Sequence, residues 1–187
     1  MHRFLPLIVF IVVLGAARLI GAQAPEDFAN LQPYGALFFC GMACFGTRFL
    51  ILPALVWFLT VPVTSALQGY GWSPHFLVPI IGFVLIAALG HHFRGKSGGK
   101  IFAGSLLAGL TFYLVTNTLS WAFSPGYALT PGGFIQALWT GLPGYPPTWM
   151  FFRNEMLAQV VFSGLFLLSQ ERLMSFRPKL LAESPIS

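Results

Sequence analysis

The residues best suited to chemistry lie at the start of the last long apolar stretch of the sequence. An arginine, an asparagine, a glutamate and a glutamine fall within seven positions there, as Arg153, Asn154, Glu155 and Gln159. A charged side chain near the centre of a bilayer costs about 2.5–3.5 kcal/mol, and less near the bilayer surface. These side chains therefore need partners inside the protein, water or a ligand.

Other polar and aromatic side chains fall at the same predicted depth in the earlier apolar stretches. The opposite halves of those stretches have almost no polar groups, which argues against a channel through the full thickness. A polar cavity that opens on one side explains the pattern economically. The residues that we predict to line a substrate site there are Arg18, Asn30, Gln32, Tyr34, Asn117, Trp121, Arg153, Asn154, Glu155 and Gln159.

Each of these residues also has a purely structural interpretation. Arg18 and Arg153 can extend their guanidinium groups to the membrane surface or pair with nearby carboxylates such as Glu155. Asn117 and Gln159 can hydrogen-bond between helices, which is worth roughly 0.6–2 kcal/mol. The sequence leaves ligand contact and helix pairing open.

Other candidate chemistry is weaker. Cys40 and Cys44 lie four residues apart on one helix face, but structural zinc needs four ligands, so we interpret them as packing residues and predict no metal site. His91 and His92 belong to a basic loop and are expected to be solvated. The sequence has no phosphate loop, nucleophile elbow or HExxH motif. We therefore predict no catalytic residue, no cofactor and no enzyme, and disfavour a lipid-modifying enzyme.

The composition predicts an all-α integral membrane protein. Of the 187 residues, 56% are hydrophobic and only 8% are charged, whereas soluble domains carry about 25% charged residues. The formal net charge is +5. The basic residues lie mainly in short loops, so membrane topology explains them better than nucleic acid does, and the lipid bilayer is the predicted partner.

Six apolar runs predict a single six-helix transmembrane domain over residues 1–175, followed by a loose tail over residues 176–187. The second run is short, because about thirteen residues span only about 20 Å of a bilayer core of about 30 Å. The first run could be a signal peptide, but Arg18 lies just before the candidate cleavage site, which favours a retained helix. The predicted runs are residues 4–22, 34–46, 49–67, 76–93, 101–122 and 149–168.

Basic residues fall in alternate connections, which predicts the orientation. Eight of the ten lie on the side of both termini, so we predict cytoplasmic termini in a bacterial inner membrane. The long uncharged connection over residues 124–148 lies on the other side. We expect it to contain a short helix over residues 134–139 and to cap the cavity. The eight residues are Arg3, Arg48, Arg94, Lys96, Lys100, Arg172, Arg177 and Lys179.

Three motifs in order resemble a family of small six-helix bacterial membrane proteins with a domain of unknown function. They are residues 30–38 (NLQPYGALF), the pair Asn117 and Trp121, and residues 151–154 (FFRN). The similarity extends from about residue 5 to residue 170. Family members in turn resemble the substrate-binding S components of energy-coupling factor (ECF) transporters. The family often has an aspartate in the third helix and another at the position of Gln159, and this chain has neither.

The resemblance implies a subunit that binds a vitamin-like molecule or a metal species from outside and takes part in its uptake. Its partner would be an energising module, made of a membrane coupling subunit and two ATPases. The alternative from a different class is a structural or assembly subunit of a larger membrane complex, without a ligand of its own. A cavity would favour the first interpretation, and fully paired polar residues would favour the second.

Overall fold

A computed structural model describes residues 5–28, 30–67 and 76–182, except for the side chains of residues 5–9, 25, 26 and 171–182. All regular structure in these ranges is helical, which confirms the all-α prediction for them. The helices are α1 (Leu5–Gln23), α2 (Pro25–Phe28), α3 (Tyr34–Phe45), α4 (Thr47–Leu67), α5 (Leu77–His92), α6 (Gly98–Phe123), α7 (Pro131–Leu138) and α8 (Thr148–Ala182).

The six apolar runs correspond to α1, α3, α4, α5, α6 and α8. The predicted short helix of the long connection is α7, which begins three residues earlier than expected. The short helix α2 was not predicted. Helix α8 continues to Ala182, so residues 176–182 of the predicted tail are helical, and its looseness stays a prediction. Residues 183–187 lie outside the described residues.

Helix α3 forms the centre of the bundle. Its residues from Tyr34 to Ala43 are all buried, and it contacts α4, α5, α6 and α8. A helix that is apolar around its whole circumference is expected to be buried in this way. Its twelve residues extend about 18 Å, which is less than the roughly 30 Å of a bilayer core. The helix is therefore shorter than a bilayer core is thick, and its first residues lie at one polar end.

Aromatic contacts hold the central helices together around Phe83 of α5. The Phe83 ring stacks on Phe38 of α3 with centroids 4.6 Å apart and on Phe112 of α6 at 5.1 Å. Trp57 of α4 meets the same ring edge-on at 5.6 Å. Such pairs contribute about 0.5–1.5 kcal/mol each beyond the burial of their area. The Phe83 ring of α5 thus packs against α3, α4 and α6 at one level of the bundle.

The opposite end of the bundle is basic. Gly46 ends α3 with a φ of 84°, a conformation that glycine adopts without strain, and α4 starts at the next residue. The guanidinium of Arg94 lies against this glycine. The turn between α3 and α4 and the basic loop between α5 and α6 are therefore neighbours.

Three helices are long and apolar enough to cross a membrane, counting the described residues alone. They are Thr47–Leu67, Gly98–Phe123 and the Thr148–Gln170 part of α8. Shorter apolar helices cover Phe10–Gln23, Tyr34–Phe45 and Leu77–His92. Large apolar side chains are exposed along the long helices, as on Ile51, Leu59 and Leu165. These features are those of a membrane protein.

The long connection between α6 and α8 is fastened to α6. The Trp121 indole Nε1 donates a hydrogen bond to the Ala128 carbonyl at 2.9 Å, and the Tyr113 hydroxyl donates one to the Leu138 carbonyl. Helix α7 begins with an N-cap, because the Thr130 hydroxyl accepts a hydrogen bond from the Gly133 amide at 3.1 Å. The connection is therefore a structured part of the end of the bundle at which α6 ends and α8 begins.

We expect Thr130→Ala to destabilise α7 locally by about 1 kcal/mol, because an N-cap hydroxyl typically contributes that much. The measurement is hydrogen exchange of the α7 amides by mass spectrometry. Thr130→Ser keeps the acceptor oxygen and is the matched control. Equal exchange in the two variants would show that the cap contributes nothing.

Candidate functional site: a polar cavity at one end of the bundle

A partly open cavity of about 270 Å³ lies at the end of the bundle opposite the basic loop. Helices α1 and α6 end near it, and α3, α5 and α8 begin near it. We call it the polar cavity. Its polar lining residues are Arg18, Asn30, Gln32, Tyr34, Thr116, Ser120 and Glu155, and the others are Gly35, Trp57, Val78, Pro79, Phe83 and Phe112.

Arg18 is the cationic group of the polar cavity. Its guanidinium carbon lies 4.9 Å from the centroid of the Trp57 ring, and its Nη2 donates to the Thr64 hydroxyl at 3.3 Å. Its Nε is fully buried and has no hydrogen-bond partner among the described residues. Within the described part of the chain, no carboxylate forms an ion pair with Arg18. The charge of Arg18 is therefore not neutralised by the part of the protein that the structure describes.

Glu155 supplies the carboxyl group of the same cavity. It is 5% exposed, and its Oε1 accepts a hydrogen bond from Gln159 Nε2 at 2.9 Å. Gln159 is 1% exposed, and its side-chain oxygen Oε1 has no hydrogen-bond partner among the described residues. Gln159 thus lies behind Glu155 and orients its carboxylate.

Two glycines make room for this pair. A Cβ on Gly35 of α3 would lie 2.3 Å from Gln159 Nε2 and 2.7 Å from Glu155 Oε1. A Cβ on Gly109 of α6 would lie 2.7 Å from Gln159 Cγ. Real side chains do not approach so closely, so a larger residue at either position would displace the Gln159 or Glu155 side chain from its observed place.

Gly35→Ala is expected to lower the free energy of unfolding by about 1–3 kcal/mol, because the added methyl group overpacks a buried contact. It should also displace Glu155 and weaken any ligand binding at the cavity. The control is Gly15→Ala on α1, where a Cβ meets nothing within 4 Å. Thermal unfolding in detergent compares the two variants. Equal melting temperatures would contradict the close packing at Gly35.

The segment before α3 supplies the rim of the cavity. Asn30 has a φ of 61°, a left-handed conformation that asparagine tolerates better than most residues. The Gln32 amide lies against Gly21 of α1. The Tyr34 hydroxyl donates to the Leu14 carbonyl at 3.4 Å. These contacts hold the segment against α1, so Arg18 and the rim residues face one cavity.

Arg153 and Asn154 lie outside the cavity lining. Arg153 is exposed, its Nε donates to the Asn154 side-chain oxygen Oδ1 at 3.1 Å, and its guanidinium lies 5.6 Å from the Trp149 ring centroid. Asn154 is 2% exposed and donates to the Asp27 carbonyl at 2.9 Å. The pair fastens the start of α8 to α2.

Asn117 and Trp121 also lie outside the lining. Asn117 Nδ2 donates to the Tyr113 carbonyl of its own helix at 2.8 Å. Trp121 donates to the Ala128 carbonyl in the long connection. The expected cap is wrong as well, since no lining residue belongs to residues 124–148. Sequence reasoning missed Thr116 and Ser120, although their spacing of four residues places both on one face of α6.

The structure brings no metal ligands together in the part of the chain that it describes. No group of three or more histidine, cysteine, aspartate or glutamate side chains could hold an ion there. Cys40 is buried and Cys44 is half-buried, and both are free thiols. The absence of a metal site in the native protein stays a prediction.

The fold and the cavity define an all-helical protein with membrane-length helices and a polar site at one end of the bundle. The chain belongs to the DUF6580 family, a family of unknown function whose match covers residues 1–180. The predicted membership of an uncharacterised family is thereby confirmed. Neither the curated proteins nor the solved structures contain a match to the chain.

Proposed function

We propose that the protein is a membrane subunit that binds a small molecule in the polar cavity for uptake. The observation that carries this proposal is Arg18, a cation in the cavity wall that pairs with no carboxylate of the described residues. A protein whose polar layer served only to join helices would be expected to pair this group internally. The unneutralised cation favours a ligand over the structural alternative.

The size of the cavity suits a small ligand. Ligand pockets usually measure about 300–1,000 Å³, and this one, at about 270 Å³, lies just below that range, so only a small molecule fits. Its walls combine seven polar residues with the aromatic rings of Trp57, Phe83 and Phe112, which offers contacts to both polar and apolar parts of an organic ligand. An organic molecule therefore fits better than a bare metal ion.

The proposed topology has six membrane-spanning helices with both termini in the cytoplasm of a bacterium. The polar cavity and the basic loop lie at opposite ends of the bundle, and basic loops face the cytoplasm as a rule. The cavity would then face outward and receive its ligand from outside. Onward transfer would use an energising module of the ECF type, as the resemblance to S components implies.

Cysteine labelling tests this orientation. In a background with Cys40→Ala and Cys44→Ala, an impermeant maleimide is added to spheroplasts that carry Leu129→Cys or Lys96→Cys. We expect Leu129→Cys to react at once and Lys96→Cys to react only after the membrane is permeabilised. The reverse pattern would contradict the proposed orientation.

Native mass spectrometry of the protein extracted from its own membrane tests the function. We expect a mass increase that corresponds to one small molecule and that disappears after the complex is dissociated by heating. If no small molecule copurifies and a large partner is present at a fixed ratio instead, the assembly alternative replaces this proposal.

A further inference from the structure

A guanidinium and a carboxyl group line the polar cavity without forming an ion pair. Arg18 of α1 and Glu155 of α8 both belong to its wall. Each is held by a neutral neighbour, Arg18 by the Thr64 hydroxyl and Glu155 by the Gln159 amide. Among the described residues no ion pair joins them to each other or to a third charge. A buried charge that lacks a partner is costly, so both groups are suited to a partner that enters the cavity.

Each charge keeps free hydrogen-bonding capacity. On Arg18, Nη1 has no partner among the described residues. On Glu155, Oε2 accepts no hydrogen bond from any of them. The cavity thus offers a donor group on the α1 side and an acceptor group on the α8 side.

Three apolar aromatic side chains also belong to the wall of the cavity. Trp57, Phe83 and Phe112 come from α4, α5 and α6, and their rings pack on one another. Because Phe83 stacks on Phe38 as well, this wall is held rigidly. A rigid aromatic wall suits a planar, apolar molecular body.

We propose that the ligand of the polar cavity is a small zwitterion with a planar apolar body. Arg18 binds its anionic group, Glu155 binds its ammonium group, and the aromatic wall contacts the body between them. This inference rests on the proposed function and adds the chemical class of the ligand. The same pair of charges occurs in a free amino-acid-like molecule and in the headgroup of phosphatidylethanolamine, so the test must separate these sources.

A matched set of probes tests the two ends of the ligand separately. The protein is placed in nanodiscs of phosphatidylglycerol, and binding of 4-(aminomethyl)benzoate, benzoate and benzylamine is measured by calorimetry. We expect the zwitterion to bind at least about tenfold more tightly than either singly charged probe, because it makes charge-assisted hydrogen bonds at both ends.

Variants assign each end of the probe to its residue. Arg18→Gln should reduce the affinity for the zwitterion to that of benzylamine, and Glu155→Gln should reduce it to that of benzoate. The control is Arg153→Gln, which removes a cation outside the cavity and should keep the tenfold preference. Circular dichroism confirms that each variant is folded. A preference that survives both cavity variants would overturn the assignment.

The outcomes separate this inference from the proposed function. If benzoate binds as tightly as the zwitterion, or if native mass spectrometry identifies a ligand without opposite charges, the zwitterion is wrong while small-molecule binding stands. If no probe binds and no small molecule copurifies, both proposals fail. If phosphatidylethanolamine added to the nanodiscs displaces the zwitterion, the charge pair is confirmed and its natural source is the lipid headgroup.

Discussion

Replacing Gly90 with alanine is expected to lower the free energy of unfolding by about 3 kcal/mol, the upper end of the usual cost of overpacking. A Cβ on Gly90 of α5 would lie 2.5 Å from the Phe39 carbonyl oxygen and 3.3 Å from Met42 Cβ. The first of these atoms belongs to the backbone of α3. Because α3 is buried on all sides, it cannot move away without disturbing the helices around it.

Gly99→Ala provides the control, because a Cβ at Gly99 in the first turn of α6 meets nothing within 4 Å. Thermal unfolding of both variants in the same detergent, followed by tryptophan fluorescence, measures the difference. A Gly90→Ala protein as stable as Gly99→Ala would mean that α3 and α5 do not approach as closely as described, and the central position of α3 would be in doubt.

The second large effect is expected for Arg18→Gln in ligand binding. A hydrogen bond to a charged group contributes about 1.5–3 kcal/mol, so its loss corresponds to a roughly 10- to 150-fold weaker affinity. Arg18→Lys should recover only part of this loss, because an ammonium lacks the planar fork of donors. The measurement is the amount of copurified ligand retained by each variant during stepwise dilution.

Arg153→Gln is the informative control, because sequence reasoning placed both arginines at one depth. Arg153 is exposed and bonded to Asn154, so its variant should retain ligand as the unaltered protein does. Loss of ligand in Arg153→Gln together with retention in Arg18→Gln would reverse the roles of the two arginines. It would also move the candidate site from the cavity to the surface of α8.

The sequence predicted which residues lie at one depth, because that depends only on counting along apolar runs. Arg18, Asn30, Gln32, Tyr34 and Glu155 were found in this way, and all five line the polar cavity. The approximate positions of the six long apolar helices also followed, since apolar runs and the breaks between them are local features, but α8 continues beyond its predicted run to Ala182.

The direction in which each side chain points could not be predicted. Arg153 and Glu155 are two positions apart, so they lie about 200° apart around α8, and only knowledge of the neighbouring helices decides which one faces inward. Asn117 shares its depth with the cavity but bonds within α6. Phe83 was missed for a related reason. In a sequence, an aromatic residue that faces a cavity cannot be distinguished from one that faces lipid.

The most direct measurement is a cryo-electron microscopy structure of the protein in nanodiscs made from its native lipids, with an antibody fragment to aid alignment. We expect density for one small molecule in the polar cavity, within hydrogen-bond distance of Arg18 and Glu155 and in contact with the Trp57 ring. A cavity closed by side chains, with Arg18 paired directly to Glu155, would contradict the account.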